Sequence, residues 1–164
     1  MEVFEKLVEL FDRENAKYRV VEHEPEGRSD LVAAVRKTTV SQGAKAIVCK
    51  IKSDTGERIV LAVLAGDKRL DIKAVARHVG GKKGSFAPSE LAEELTGCKI
   101  GAIPPICFDG RLKLLVDKDF LDKEVEIAFN AGRLDRSIIM DTKDYIRVAS
   151  PSVEKIALME PLPY

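Results

Sequence analysis

The sequence predicts an α+β fold: a single domain over residues 1–164, with a central mixed and partly barrel-like β-sheet flanked by helices. Three observations support this prediction. Amphipathic helical segments alternate with a larger number of short, mostly non-parallel strand-like segments. No repeat, low-complexity stretch or linker divides the chain. Its length is typical of one domain, and hydrophobic residues make up 45%, enough for a sizeable core.

The first half of the chain shows the clearest hydrophobic periodicity. Phe4, Leu7, Val8 and Phe11 recur at the spacing of one helix face, so the sequence predicts a helix over residues 2–15. Alternating apolar residues predict strands, and clusters of Asp, Gly and Pro predict turns. The further predicted elements are a strand over residues 18–22, a helix capped by Ser29 or Asp30 and ending at Arg36, and strands over residues 46–52 and 58–65 that form an antiparallel hairpin.

The second half is predicted to be richer in strands. Asp71 is placed to cap a helix that ends at Gly80, and Pro88 suits the first turn of another helix that ends before Gly97. The remaining predicted elements are short strands over residues 99–103, 112–116, 125–129 and 137–140, a helix from Asp141 or Thr142 to Val148, and a last helical turn near residues 153–158.

Composition argues against several classes of protein. The 27 basic and 27 acidic residues give zero formal net charge, so binding of nucleic acid or membrane by bulk charge is not expected. The three cysteines form no CxxC pair, which argues against a disulfide framework or a zinc site. The acidic, amphipathic N-terminus lacks the pattern of a signal peptide, and no uncharged run approaches the roughly 20 residues that span a bilayer. A soluble, cytoplasmic protein is therefore expected.

The usual catalytic motifs are missing. His23 and His78 are the only histidines, and neither a nucleophile elbow nor a Walker or Rossmann phosphate loop is present. The sequence therefore predicts neither a metal nor a cofactor. His78 is interpreted as a rim or surface residue, whereas His23, in a Pro- and Gly-containing turn, is either a ligand contact or a capping residue. A binding module remains, or an enzyme that works through backbone groups and a positioned water.

Three local features are candidates for function, and each has a structural alternative. Lys45 stands at the entrance to an apolar strand, where a lysine is also an ordinary solvated end residue. Gly101, Ala102 and Ile103 carry N–H groups just before Pro104 and Pro105, so this loop is suited to hold an oxyanion, or is simply a strand ending in a proline turn. The third feature is the small-residue turn Phe-Asn-Ala-Gly at residues 129–132, followed by Asp135, and turns often have this composition for backbone reasons alone.

Taken in order, these segments resemble the YbaK and prolyl-tRNA synthetase-associated editing domain family, which comprises aminoacyl-tRNA deacylases. The resemblance covers nearly the whole chain and is carried by Tyr-Arg-Val-Val-Glu-His-Glu-Pro, Gln-Gly-Ala-Lys-Ala-Ile-Val-Cys-Lys, Gly-Ala-Ile-Pro-Pro and Ala-Phe-Asn-Ala-Gly. The second and fourth segments are most similar to the YeaK-type branch. Where the YbaK branch has Ser and Gly-Gly, this chain has Asn130, Ala131 and Gly132, so the amino acid accepted by YbaK is not carried over.

The resemblance implies hydrolysis of the ester between a wrong amino acid and the terminal adenosine of tRNA, in trans and without a covalent nucleophile. The family's lysine role falls on Lys45, which would bind the terminal nucleotide or the developing charge. N–H groups of Gly101, Ala102 and Ile103 would hold the carbonyl oxygen, while a tRNA ribose hydroxyl helps to position the water. The substrate-binding residues implied are His23, Pro105, Asn130, Gly132 and Asp135.

Small substrates are expected, namely Ser, Ala, Thr or Cys esters, because synthetases discriminate poorly among small side chains. Residues 67–83 carry six basic and two acidic residues and are a candidate tRNA surface, although a solvated helix face is the alternative. A synthetase partner is a further expectation, because zero net charge predicts modest tRNA affinity. The predicted tRNA contacts are Lys68, Arg69, Lys73, Lys82 and Lys83.

Two other functions remain open from the sequence. One is a non-catalytic module that binds tRNA ends or a synthetase, which would bind charged tRNA without releasing an amino acid. The other is a hydrolase of a different small acyl ester, which would cleave free esters without depending on the terminal adenosine.

Overall fold

A computed structural model describes residues 1–161 of the chain. These residues form six helices and ten strands. The helices are α1 (Val3–Arg13), α2 (Ser29–Arg36), α3 (Ile72–His78), α4 (Ser89–Thr96), α5 (Lys118–Lys123) and α6 (Thr142–Ala149). The strands are β1 (Tyr18–Glu22), β2 (Ala44–Ser53), β3 (Gly56–Ala65), β4 (Lys68–Leu70), β5 (Lys83–Phe86), β6 (Leu112–Asp117), β7 (Glu126–Asn130), β8 (Arg136–Asp141), β9 (Ser152–Glu154) and β10 (Ala157–Pro161).

The largest sheet is mixed, as the sequence predicts. Its strand order is β5-β2-β3-β6-β9, with antiparallel pairing among β5, β2 and β3 and parallel pairing from β3 through β6 to β9. Strands β2 and β3 form the predicted hairpin, in register from Ala44 opposite Ala65 to Ser53 opposite Gly56. These two long strands form the centre of the sheet. Lys45 is the second residue of β2 and lies opposite Leu64 of β3.

The two faces of the β2–β3 hairpin belong to two different cores. Ala44 and Val48 pack with Phe11, Ala102, Ile103 and Phe129 in the larger core. Cys49 and Ile51, which alternate with them, pack with residues of α3 in the smaller core. Because strand side chains alternate between faces, odd-numbered residues of β2 point away from the core that contains residues 102 and 103.

A second, antiparallel sheet of order β1-β8-β7 lies beside the first. The two sheets are joined where Gly43, just before β2, pairs in parallel with Ala128 of β7, and the Ala128 N–H donates to the Gln42 carbonyl at 3.0 Å. Strands β10 and β4 form a third, two-stranded sheet. The junction at Gly43 brings the end of β7, with Asn130, next to the start of β2.

Several local predictions need correction. Residues 99–105, called the Gly101 loop below, are irregular, because Gly101 has a left-handed φ of +91° and the two prolines have no N–H for a ladder. The predicted final helical turn is instead β9 and β10, which pair with β6 and β4. Helix α2 has no side-chain cap, whereas the predicted caps Asp71 and Asp141 accept from the N–H groups of Ala74 and Asp144. Strands β4 and β5 and helix α5 were not predicted.

Candidate active site

The Gly101 loop is fixed at three points. The Ala102 N–H donates to the Lys99 carbonyl at 2.9 Å, and the Gly132 N–H donates to the Ala102 carbonyl at 3.0 Å. At the far end, the hydroxyl of fully buried Tyr145 donates to the Pro105 carbonyl at 2.7 Å. Pro105, a predicted substrate-binding residue, is therefore an internal anchor of the loop.

Two backbone donors of the loop are free of protein partners. Within residues 1–161, no acceptor is found for the N–H groups of Gly101 and Ile103. Ala102, the third predicted donor, uses its N–H in the turn to Lys99. Of the three predicted oxyanion donors, two therefore have N–H groups that remain available to a ligand.

Gly101 and Ile103, the residues of these two N–H groups, line a cavity of about 310 Å³, called the Lys45 cavity below. Four predicted site residues meet there: Lys45, Gly101, Ile103 and Asn130. The remaining walls are residues 27–29, Val32 and Arg36 of α2, residues 43–47 at the start of β2, Ile100 and Phe129. This volume lies at the small end of the range for ligand pockets.

The charged residues that line the Lys45 cavity are all basic. They are Arg28, Arg36 and Lys45, of which Arg28 is paired at 2.6 Å with Asp30, a residue outside the lining. The chain as a whole has zero formal net charge, so the basic character is local to this site. Such a cavity favours a ligand that carries or develops negative charge.

A close backbone approach forms one wall of the cavity. A Cβ on Gly101 would lie 2.9 Å from the Gly27 Cα, a distance that real Cβ atoms do not adopt. Gly101 also has the left-handed φ that glycine tolerates best. Position 101 thus requires glycine for two reasons: the left-handed φ, and the close approach of the Gly27 backbone.

Asn130 fastens this wall to β7. Its side-chain nitrogen donates to the carbonyls of Glu26 and Gly101, both at 2.8 Å, and its oxygen accepts from the Ser137 hydroxyl at 3.0 Å. Because carbonyl oxygens accept and never donate, the amide orientation is determined by its neighbours. Both side-chain N–H groups of Asn130 are therefore committed to the protein, and the residue positions the loop.

Ser137 connects three parts of the site. Its hydroxyl donates to Asn130, and its oxygen accepts from Arg36 Nη1 at 3.2 Å and lies 2.7 Å from His23 Nε2. His23 Nδ1 lies 2.8 Å from the Glu24 carbonyl. His23, predicted as a substrate ligand or a cap, thus supports the loop through Ser137 and Asn130.

Replacing Asn130 with alanine should weaken the fold. The change leaves the Glu26 and Gly101 carbonyls without their donor, at a cost of about 1–3 kcal/mol in the free energy of unfolding. Urea unfolding measures the stability. A wild-type free energy of unfolding would show that Asn130 does not hold the loop.

Lys45 is half-buried at the edge of the cavity. Its ammonium donates to the Lys68 carbonyl at 2.5 Å, on the face of β2 opposite to the core that holds Ala102 and Ile103. Burial lowers the pKa of Lys45; the charge of Asp67 opposes this lowering, and that of Arg69 adds to it.

The other predicted substrate-binding residues lie elsewhere. Ala102, Gly132 and Asp135 line a separate cavity of about 700 Å³ beside α1, on the other side of the Gly101 loop. Asp135 accepts two hydrogen bonds from the Arg133 guanidinium, at 2.9 and 3.1 Å, and these bonds lower the pKa of the Asp135 carboxyl. The structure therefore does not bring Gly132 and Asp135 together with Lys45.

The predicted tRNA contacts spread over β4, α3 and β5. The side chains of Arg69, Lys73 and Lys83 are exposed. Lys82 forms an ion pair with Asp54 at 2.7 Å. The carbonyl of Lys68 accepts the hydrogen bond from the Lys45 ammonium. This surface therefore adjoins the Lys45 cavity through Lys68.

Sequence reasoning missed Arg36 and Ser137. Arg36 follows Val32 by four residues and so lies on the buried face of α2, a position where a charged residue is unusual. Ser137 stands in an apolar strand segment with no local sign of a role. Only the spacing of Arg36 could have indicated a function.

Comparison with known proteins identifies the family. The family model of the aminoacyl-tRNA editing domain matches residues 23–148, which is most of the chain. The chain belongs to the aminoacyl-tRNA editing domain family. It is also similar to the Multifunctional Ser/Thr-tRNA deacylase ProXp-y of Escherichia coli K12, with 45% identity over 149 residues that cover 91% of this chain and 89% of that protein. This editing-domain protein is accordingly an aminoacyl-tRNA deacylase, an ester hydrolase that acts on mischarged tRNA.

Two solved structures share the editing-domain fold. A protein described as a proposed trans-editing enzyme for prolyl tRNA synthetase superposes with a TM-score of 0.78 at 23% identity, covering 96% of this chain and 98% of that one. Hypothetical protein APE2540 has a TM-score of 0.79 at 22% identity, covering 93% and 99%. At these identities the likeness confirms the predicted α+β fold.

Two kinds of feature are absent from residues 1–161. No helix in this part of the editing domain combines the length and apolarity needed to cross a membrane. In the same residues, no three His, Cys, Asp or Glu side chains gather closely enough to hold a metal ion.

Proposed function

We propose that this deacylase removes serine and threonine from mischarged tRNA, with the reaction taking place in the Lys45 cavity. The observation that carries the proposal is the pair of unpartnered N–H groups, Gly101 and Ile103, in a small cavity lined by basic residues. The substrates are suggested by the relative from Escherichia coli, whose name describes it as a Ser/Thr-tRNA deacylase.

Hydrolysis here needs orientation more than a nucleophile, because an aminoacyl ester is already activated. Water attacks the ester carbonyl, whose oxygen becomes an oxyanion held by the N–H groups of Gly101 and Ile103. The tetrahedral intermediate then collapses, and the ribose oxygen leaves with a proton. Each rigid backbone donor aimed at such an oxyanion contributes about 2.7–4 kcal/mol of transition-state stabilisation.

Lys45 binds the terminal nucleotide in this proposal. The sequence left two roles open, the nucleotide and the developing charge. The ammonium lies on the opposite face of β2 from the core of Ala102 and Ile103, next to the basic residues of β4, and this favours the nucleotide. Its present acceptor, the Lys68 carbonyl, is a neutral group that an anionic phosphate oxygen displaces readily.

Specificity comes from the size of the cavity. Val32, Ala44, Ala46 and Phe129 are among the apolar residues that limit it. Steric exclusion rejects larger side chains, whereas one methylene more or less changes binding by about 1–3 kcal/mol. Serine and threonine, which differ by a methyl group, therefore both fit this proposal.

The tRNA approaches over β4, α3 and β5. Arg69, Lys73 and Lys83 are the exposed cations of this surface, and the pairing of Lys82 with Asp54 makes it a weaker candidate. With so few contacts the intrinsic affinity for tRNA is modest and salt-sensitive, which leaves room for a synthetase partner. A cytoplasmic location is part of this proposal, because its substrate is charged tRNA.

A deacylation panel tests the proposal. Purified protein is incubated with Ser-, Thr-, Ala-, Cys- and Pro-tRNA, and the release of amino acid is followed against buffer alone. We expect rapid release of serine and threonine and slower release of the others. Release from proline or alanine tRNA without release of serine or threonine would contradict the substrate assignment.

A further inference from the structure

Arg36 is a buried cation that has no carboxylate partner. Its residue is 6% exposed, and among residues 1–161 no Asp or Glu oxygen lies within ion-pair distance of it. Burial alone lowers its pKa to about 10, so the guanidinium remains charged at neutral pH. A buried charge without a counter-ion is costly, and proteins usually pair it.

Within residues 1–161, two of the three guanidinium nitrogens of Arg36 donate to the protein, and the third, Nη2, does not. Nε donates to the Thr38 hydroxyl and Nη1 to the Ser137 hydroxyl, both at 3.2 Å, and both acceptors are neutral. Nη2 has no protein acceptor in the described part of the chain, and a Cβ on Gly43 would lie 3.1 Å from it. The absence of a side chain at Gly43 therefore leaves room at the edge of Arg36 that lines the Lys45 cavity.

We propose that Arg36 binds the carboxylate of the amino acid that hydrolysis releases. The inference rests on the proposed deacylation in the same cavity and adds to it a binding site for the free amino acid. The charged guanidinium holds a carboxylate by charge-assisted hydrogen bonds from Nη2, the nitrogen that has no acceptor among residues 1–161.

The chemistry of the reaction supplies the missing negative charge. The water oxygen bonds to the carbonyl carbon, the bond from that carbon to the ribose oxygen breaks, and the ribose oxygen takes a proton. The acid that forms loses its remaining proton to solvent and becomes a carboxylate. Arg36 is thus better matched to the charged product, and to the oxyanion that precedes it, than to the neutral ester.

The position of Arg36 favours a carboxylate over a phosphodiester. A phosphodiester carries a nucleoside on each side and needs an open groove, whereas a carboxylate is the end of a small molecule. Arg36 lies almost wholly buried at the end of α2, and Lys45, beside Lys68 and the exposed Arg69 of β4, is better placed for a phosphate.

Free L-serine and L-serinamide provide the test. Both keep the α-ammonium and the hydroxyl, but serinamide has no carboxylate. We expect NMR titration of the wild-type protein to show that serine binds about tenfold or more tightly than serinamide, which corresponds to loss of a charge-assisted hydrogen-bond pair. Equal affinity for the two ligands would overturn the proposal without any variant.

Two variants assign the effect to Arg36. Arg36→Met should abolish the preference for serine, whereas Arg77→Met, which removes an exposed arginine of α3 that does not line the Lys45 cavity, should keep it. Amide spectra establish that each variant is folded. A preference that persists in Arg36→Met would overturn the proposal.

A further comparison separates the two anionic ligands. Adenosine 5′-monophosphate and adenosine are titrated in the same way. If Arg36→Met removes the preference for the monophosphate but not that for serine, the residue binds phosphate and the proposal is wrong. None of these titrations depends on catalysis, so failure of the deacylation panel and failure of this inference are distinguishable.

Discussion

Replacing Gly101 with alanine is expected to produce the largest loss of activity of any single change in the loop. The new Cβ would lie 2.9 Å from the Gly27 Cα, and alanine would have to adopt a φ of +91°. The loop must move, which displaces the Gly101 N–H and its neighbour at Ile103. Displacing one oxyanion donor costs about 2.7–4 kcal/mol of transition-state stabilisation, a hundredfold or more in rate. Single-turnover deacylation of Ser-tRNA measures the loss.

Gly110→Ala is the matched control. Gly110 lies in the turn before β6, where a Cβ would meet no atom within 4 Å. This variant should retain the wild-type rate and stability. If Gly101→Ala deacylates as fast as Gly110→Ala, the geometry of the Gly101 loop is not part of the reaction.

Replacing Lys45 with alanine is expected to reduce kcat/KM by about 10- to 100-fold, the cost of one charge-assisted contact to the substrate. The fold should survive, because the change also removes a half-buried charge that is partly desolvated on folding. Burial lowers the pKa of Lys45, so its contribution is complete below that lowered pKa and is lost as the pH rises through it. That loss occurs at a lower pH than for an exposed lysine.

Lys113→Ala serves as the control for Lys45. Lys113 is an exposed lysine of β6, and its removal should leave both rate and melting temperature unchanged. Full activity of a folded Lys45→Ala protein would refute the role of this residue. A protein that loses activity only because it unfolds would be recognised by its melting curve.

Local patterns in the sequence predict the regular elements well. The β2–β3 hairpin follows from period-two alternation around a Gly turn, and α1 follows from one apolar face. By contrast, β9 and β10 are strands because they pair with β6 and β4, respectively. These partners are far away in the sequence. Pairing of that kind overrides weak local preference, which is why the C-terminal segment was wrongly predicted as helical.

The site was predictable to the extent that its chemistry is local. Lys45, Gly101 and Asn130 were predicted from short motifs and the family resemblance, and they line one cavity. The contact of Arg36 with Ser137 joins residues 101 positions apart, which no local pattern reveals. The turn that occupies the Ala102 N–H depends on the left-handed Gly101, a conformation that the proline spacing alone does not specify.

The central claim is that the N–H groups of Gly101 and Ile103, and not that of Ala102, hold the oxyanion. A phosphonate mimic of the tetrahedral intermediate, made on the ribose of adenosine with a serine side chain, tests it by NMR of ¹⁵N-labelled protein. Binding should move the amide protons of Gly101 and Ile103 downfield, as formation of short hydrogen bonds requires, and leave that of Ala102 nearly unmoved. Unchanged Gly101 and Ile103 signals in a saturated complex would contradict the account.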